Sequence, residues 1–332
     1  MMLLRSLGYL YIGGLYIMGI TDKLHVPLRI GTRASPLARQ QAIMVRDILM
    51  SSHGLQETHF EIIPISTMGD RTVNAPVGAI GGKGIFVKEI ESALIERNID
   101  MAVHSMKDMS TVLPEPLCMA ACLPRGDVRD AFISFKYGSL MDMHDGARIG
   151  TASLRRQAQS LFIKSDLDVV LLRGNVGGRI LKLANKVVDA TFLSLCAMQR
   201  LSITSVPYYP IEPECMIPAV GQGAIGVEVR KDNSYMLELL NPIHCDNTWM
   251  CIMCERAFLH SLNGSCKLPV AGLAILQNNE IWLRGEVLST DGSHKWTAEE
   301  CGSIHDAEQI GYNLGLEIRS KILPGILPDN PQ

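Results

Sequence analysis

Apolar and polar positions along the chain switch repeatedly between two periods. Residues 26–31 form a short apolar-rich run ending at a Gly-Thr pair, which predicts a strand. Ala38, Ala42, Val45 and Leu49 then recur at helical spacing behind Ser35, a capping residue, and Pro36, suited to a first helical turn. Residues 60–66 predict a second strand, and Phe86, Ile90, Ala93 and Leu94 share one helical face. Residues 100–103 predict a short strand leading into His104-Ser105-Met106-Lys107-Asp108. The pattern restarts near Arg148. Ile149-Gly150-Thr151-Ala152-Ser153 repeats the order of strand, Gly-Thr and capping Ser seen in Ile30-Gly31-Thr32-Arg33-Ala34-Ser35, and Leu154, Ala158, Leu161 and Phe162 mark the next helix. A third unit runs from a strand over 167–172 through Gly174-Asn175 to a helix presenting Val176, Ile180, Leu183 and Ala184. Such alternation implies α/β architecture, here as two related lobes. From about Trp249 the pattern changes to a helix over 254–262, a loop with Cys266, strands with turns at Asn278-Asn279 and Asp291-Gly292, and a helix over 305–322, together a small α+β domain.

The N-terminus stands apart. Residues 6–21 carry no charge and are mostly apolar, yet fall short of a membrane span, and no small-residue cleavage site follows. The reading is an extension over 1–24 without fold content, such as an early start codon, with a weak membrane or targeting role as the alternative. The nine cysteines are an odd, scattered set, which fits a reducing compartment, hence the cytoplasm, better than a disulfide framework. Cys245, Cys251, Cys254 and Cys266 lack the second CxxC of a zinc site, so no metal is expected. With a net charge of −3 and 5% aromatics, the chain does not read as a nucleic-acid or membrane binder.

Candidate chemistry gathers at strand ends. Helix N-termini at Ser35, Ser153 and Asn175 offer free N–H groups and favourable dipoles to anions. Arg33, Arg155, Arg156, Arg173 and Arg179 crowd the same junctions, and Lys83 (in Gly81-Gly82-Lys83-Gly84) and Lys107 add charge. The lysine loop lacks P-loop spacing, and Leu172-Arg173-Gly174-Asn175-Val176-Gly177-Gly178 is not GxGxxG, so a nucleotide is not the expected anion. Asp108, among these cations, is a candidate proton donor or cation stabiliser, although spacing alone favours a loop carboxylate that caps or pairs with Lys107. Cys266, beside Lys267, is a candidate nucleophile on weak grounds.

Seven stretches in this order resemble the porphobilinogen deaminase family: IGTRASPLARQQA (30–42), GGKGIFVKEIESAL (81–94), DMAVHSMKD (100–108), GTASLRRQAQ (150–159), LRGNVGGR (172–179), PAVGQGAIGVE (218–228) and ERAFLHSLNGSCKLP (255–269). The resemblance implies two periplasmic-binding-protein-like lobes around a cleft, at 25–123 plus 220–242 and at 124–219, and a cofactor-attachment α+β domain at 243–332. It implies a dipyrromethane cofactor held by a thioether on Cys266, and Asp108 as the catalytic carboxylate. Positions matching Lys83, Lys107, Ser153, Arg155, Arg156, Arg173 and Gln222 would hold the cofactor, and Arg33, Ser35 and Arg179 the substrate, porphobilinogen. A monomer is implied as well. Three positions depart from the family's pattern: Ser265 replaces the second glycine before the cysteine, Ala152 replaces a serine, and Gly178 replaces a threonine. A non-catalytic two-lobed binder of an anionic ligand is the competing reading, and the thiol in a third domain argues against it.

Overall fold

The computed structural model describes residues 10–12, 15–17, 27–71, 84–262 and 268–322. Near the N-terminus β1 (Leu10–Ile12) and β2 (Leu15–Ile17) pair antiparallel with each other. The extension, read above as lacking fold content, thus carries a small hairpin that joins no other sheet. Among the described residues no helix is long and apolar enough to cross a membrane.

The first lobe is built on β3 (Leu28–Arg33), β4 (Phe60–Ile65), β5 (Met101–Ser105) and β6 (Leu117–Cys122). Its helices are α1 (Pro36–His53), α2 (Met68–Arg71) and α3 (Lys88–Ile95). Ser35 caps α1 by accepting from the Ala38 N–H, and Gly54 ends it in the left-handed region at φ 66°. One face of α1, including Ala42, Val45 and Leu49, is buried on the sheet with Ile30, Met101 and Val103. The second lobe holds β7 (Asp130–Ile133), β8 (Arg148–Thr151), β9 (Asp168–Leu171), β10 (Ala190–Ser194) and β11 (Tyr208–Ile211), with α4 (Leu154–Ile163), α5 (Val176–Ala184) and α6 (Leu195–Arg200). Ser153 and Asn175 cap α4 and α5 as expected, accepting from the Arg156 and Gly178 N–H groups. The chain then returns to the first sheet with β12 (Ile225–Arg230), followed by α7 (Ser234–Leu240).

The two five-stranded sheets have one topology, β4-β3-β5-β12-β6 and β9-β8-β10-β7-β11. β3 and β8 each lie between two parallel neighbours, while β12 in the first sheet and β7 in the second run antiparallel to the strands beside them. The chain therefore crosses between sheets twice, and the crossings touch: the Gly126 N–H donates to the Gly223 carbonyl at 3.1 Å. Gly223 has φ 90°, and a Cβ there would stand 2.5 Å from the Gly126 carbonyl oxygen, so a larger residue would push the crossings apart.

The last unit packs α8 (Asp246–Ser261) and α9 (Ala307–Lys321) on an antiparallel sheet of β13 (Val270–Gln277), β14 (Glu280–Leu288) and β15 (Lys295–Ser303), around Phe258, Ile281, Leu283 and Leu314. Asn278 and Asn279, both at positive φ, make the expected turn. α8 begins eight residues before the helix read from the sequence, so Cys251 and Cys254 lie in its interior. The reason is two-sided burial: Cys251 and Cys254 face this core while Ile252 faces the first lobe, which erases the one-sided periodicity.

Candidate active site

Arg33, the last residue of β3, reaches two carboxylates. Its Nη2 lies 2.5 Å from Asp70 Oδ1, and its Nη1 donates to Asp108 Oδ2 at 3.2 Å. The Phe86 ring lies under the guanidinium, 4.1 Å away, and fixes its plane. Asp70 is held in turn by the Thr67 hydroxyl at 2.8 Å. Burial works to raise the Asp70 carboxyl, but the hydrogen bond and charge of Arg33 hold it below its ordinary value. Asp108 ends a single 3-10 turn, Met106–Asp108, that follows β5 directly and aims the carboxylate out of the sheet's end.

Next to Asp108, Lys107 starts a chain of contacts into the second lobe. Its Nζ donates to Gln222 Oε1 at 3.2 Å. Gln222 is fully buried, and its Nε2 donates to the Val128 carbonyl at 2.7 Å and to Asp130 Oδ1 at 2.9 Å. Asp130, also fully buried, accepts from Arg155 Nη2 and Arg156 Nη2, each at 2.7 Å. Burial alone would push this carboxyl up, but the paired guanidiniums hold it far below the usual carboxylate range.

The remaining cations converge on the same place. Arg173 donates to the Gly69 carbonyl at 2.9 Å, tying the loop after β9 to α2 of the other lobe. Arg179 donates to the Gly174 carbonyl at 2.9 Å. Burial, and then repulsion from Arg156 and Arg173, push Arg179 below its ordinary value. Lys107 is lowered by burial and by Arg156, and Arg173 by burial and by Arg33. Cations depressed by one another want an anion. Six cationic side chains (Arg33, Lys107, Arg155, Arg156, Arg173 and Arg179) are set against three carboxylates, Asp70, Asp108 and Asp130, so the site keeps a surplus of positive charge. Among the described residues, the buried Nε atoms of Arg155 and Arg156 find no hydrogen-bond partner. Both features fit a ligand bearing several carboxylates.

Of the residues singled out from the sequence, Arg33, Lys107, Asp108, Arg155, Arg156, Arg173, Arg179 and Gln222 are linked by these contacts and charges. Ser35 and Ser153 spend their oxygens on helix caps, which leaves each hydroxyl hydrogen able to donate. Arg155 differs in kind. Its Nη1 donates to Gln159 Oε1 and the Ile217 carbonyl and its Nη2 to Asp130, so its hydrogen bonds hold the protein itself. Lys83 and Cys266 lie outside the described residues. Asp130 and Asp70 were missed because each sits in a polar run that reads as solvated loop. The available signal for Asp130 was a carboxylate opening the apolar strand Ala131-Phe132-Ile133, where a buried charge needs cationic partners.

Residues 28–238 match the family model described as porphobilinogen deaminase, dipyromethane cofactor binding domain, and residues 249–320 match porphobilinogen deaminase, C-terminal domain. A porphobilinogen deaminase from Paracoccus denitrificans (strain Pd 1222) is 46% identical over 295 residues, covering 89% of this chain and 94% of that one. The chain belongs to the porphobilinogen deaminase family. Among solved structures, the methionine-binding protein MetQ is 12% identical, covers 67% of this chain and 91% of its own, and has a TM-score of 0.41. The Bordetella pertussis BvgS periplasmic VFT2 domain is 15% identical, covers 67% and 87%, and has a TM-score of 0.39.

Proposed function

We propose that this chain is a transferase, a hydroxymethylbilane synthase. It condenses four porphobilinogen molecules head to tail with loss of ammonia, on a covalent dipyrromethane primer, and releases hydroxymethylbilane for tetrapyrrole synthesis. The observation that carries the reading is the cluster of six cations from both lobes, three of which, Arg33, Lys107 and Arg179, act directly on the Asp108 carboxylate. Porphobilinogen bears an acetate and a propionate, so each added unit brings two negative charges that need partners. The dipyrromethane, when bound, supplies the terminal pyrrole carbon to which new units are joined.

The chain's own residues then divide the work. Cys266, a few residues beyond the end of α8 in the sequence, is the attachment point. Lys83, Lys107, Ser153, Arg156, Arg173 and Gln222 hold primer carboxylates and pyrrole N–H groups. Arg155 acts by fixing Asp130, and through it Arg156 and Gln222. Arg33, Ser35 and Arg179 receive the carboxylates of the incoming substrate. Asp108, oriented by Arg33, faces the substrate's amine: it assists departure of ammonia and stabilises the cation left behind, then takes up the proton lost when the new bond forms. The lobes divide as 25–123 plus 220–242 and 124–219, with the attachment domain at 243–332. The enzyme acts as a cytoplasmic monomer.

Replacing Asp108 by Asn tests the assignment. Ammonia release from porphobilinogen should fall about 10²- to 10⁴-fold, the usual range for loss of a positioned proton-transfer group. The bound primer, read by protein mass, should remain. Release at the wild-type rate would overturn the role of Asp108.

A further inference from the structure

Beyond Asp108 the chain leaves the cleft and runs along the outside of the first lobe. There residues 111–114 form one wall of a second cavity, of about 700 Å³. The other walls are the edge strand β6 with Met119, α8 with Trp249, Met253 and Arg256, and α9 with Tyr312. None of the residues assigned to the cleft lines it. The walls are largely apolar, and part of that surface is open: Val112 is 59% exposed and Tyr312 42%.

Arg256 is the exception. It is only 8% exposed, and its Nη2 donates to the carbonyls of Ser110 at 2.6 Å and Thr111 at 3.2 Å. Among the described residues no carboxylate lies within ion-pair distance of it. Burial pushes the guanidinium below its ordinary value, and the more distant Glu228 only partly offsets this. A buried cation with carbonyl partners alone is a costly arrangement that an anion would relieve. Exposed Lys231 adds positive charge to the lining, and exposed Glu308 is its one carboxylate.

We propose that this cavity is a second, regulatory ligand site for a small amphipathic anion, an apolar or aromatic body with one carboxylate or sulfonate head, the body lying against Met119, Trp249 and Met253 and the head on Arg256. The carbonyls that Arg256 holds belong to residues two and three positions beyond Asp108. A ligand that draws the guanidinium into the cavity loosens that anchor and slows turnover without occupying the cleft.

The test uses 8-anilinonaphthalene-1-sulfonate as the probe, with the primer-loaded enzyme and two variants. Val112→Asp places a carboxylate at an exposed wall position, and Met253→Trp fills the cavity. The expected result is saturable fluorescence at one site per chain in the wild type, with the dissociation constant raised about tenfold or more in both variants (~1.4 kcal/mol). Saturating porphobilinogen should leave that binding unchanged, and bound probe should lower kcat without raising KM. Equal affinity in wild type and both variants, displacement of the probe by porphobilinogen, or an unchanged kcat at saturation would each overturn the proposal.

Discussion

Asp130 makes the sharpest structural prediction, because so much of the cleft hangs on one carboxylate. It is fully buried and accepts from Arg155, Arg156 and Gln222 at 2.7, 2.7 and 2.9 Å. Asp130→Asn keeps the shape but removes the charge, leaving two buried guanidiniums facing each other. Removing one partner of a buried ion pair costs about 3–5 kcal/mol, because the other charge stays behind uncompensated. With an unfolding entropy of about 2.1 cal/mol/K per residue, this 332-residue chain shifts by about 1.4 °C per kcal/mol, so a melting temperature lower by about 4–7 °C is expected, measured by calorimetry. The pH dependence is fixed in sign. The folded-state pKa lies far below that of the unfolded chain, so Asp130 contributes fully above the ordinary carboxylate range. The gap between wild type and variant should therefore stay constant from about pH 5 upward and narrow progressively below about pH 4, where the carboxylate of the unfolded chain protonates while the folded one stays charged. Adding Arg155→Met to Asp130→Asn should recover part of the loss by removing one stranded charge. A variant that melts within about 2 °C of wild type at pH 7, or a double mutant less stable than the single, would refute the reasoning.

Two further substitutions probe other joints. Glu255 is fully buried on α8 and binds both terminal nitrogens of Arg125, at 2.6 and 3.1 Å, and the N–H groups of Gly221 and Ala274, at 2.7 and 2.8 Å. Glu255→Gln should cost about 3–5 kcal/mol in stability by denaturant unfolding, and should reduce activity as well, since Arg125 also holds the Gln222 carbonyl at 2.9 Å. Glu91 is buried on α3, and burial followed by the charge of Glu228 raises its pKa. A raised carboxyl penalises the folded state once the unfolded chain ionises, so Glu91→Gln should raise the melting temperature at pH 8, with the gain vanishing near pH 4. An equal gain at both values would contradict this.

What the sequence made legible was local. The caps at Ser35, Ser153 and Asn175 and the turn at Asn278-Asn279 follow from side-chain chemistry acting over two or three residues. The repeated Gly-Thr pair also carried weight: Gly31 and Gly150 sit at matching places in β3 and β8, and a Cβ at either would meet a neighbouring side chain at 2.2 or 2.7 Å. The strand order was not legible. β12 pairs with β5 and β6, more than a hundred residues earlier, and nothing in Ile225-Gly226-Val227-Glu228 names them as partners. Arginines at strand ends could be seen as a group because they repeat. The carboxylates that order them could not, since Asp70 and Asp130 each depend on contacts from distant segments. Arg155 illustrates the limit: its type and place suggested ligand binding, and nothing in the sequence shows that its terminal nitrogens donate to Asp130, Gln159 and the Ile217 carbonyl.

The measurement closest to the central claim is the intact mass of the purified protein beside a Cys266→Ser variant. The account predicts extra mass equal to two pyrrole units on the wild type, further steps of one unit each after brief exposure to porphobilinogen, and none of these on the variant. A wild-type chain that carries no added mass, before or after porphobilinogen, would contradict it.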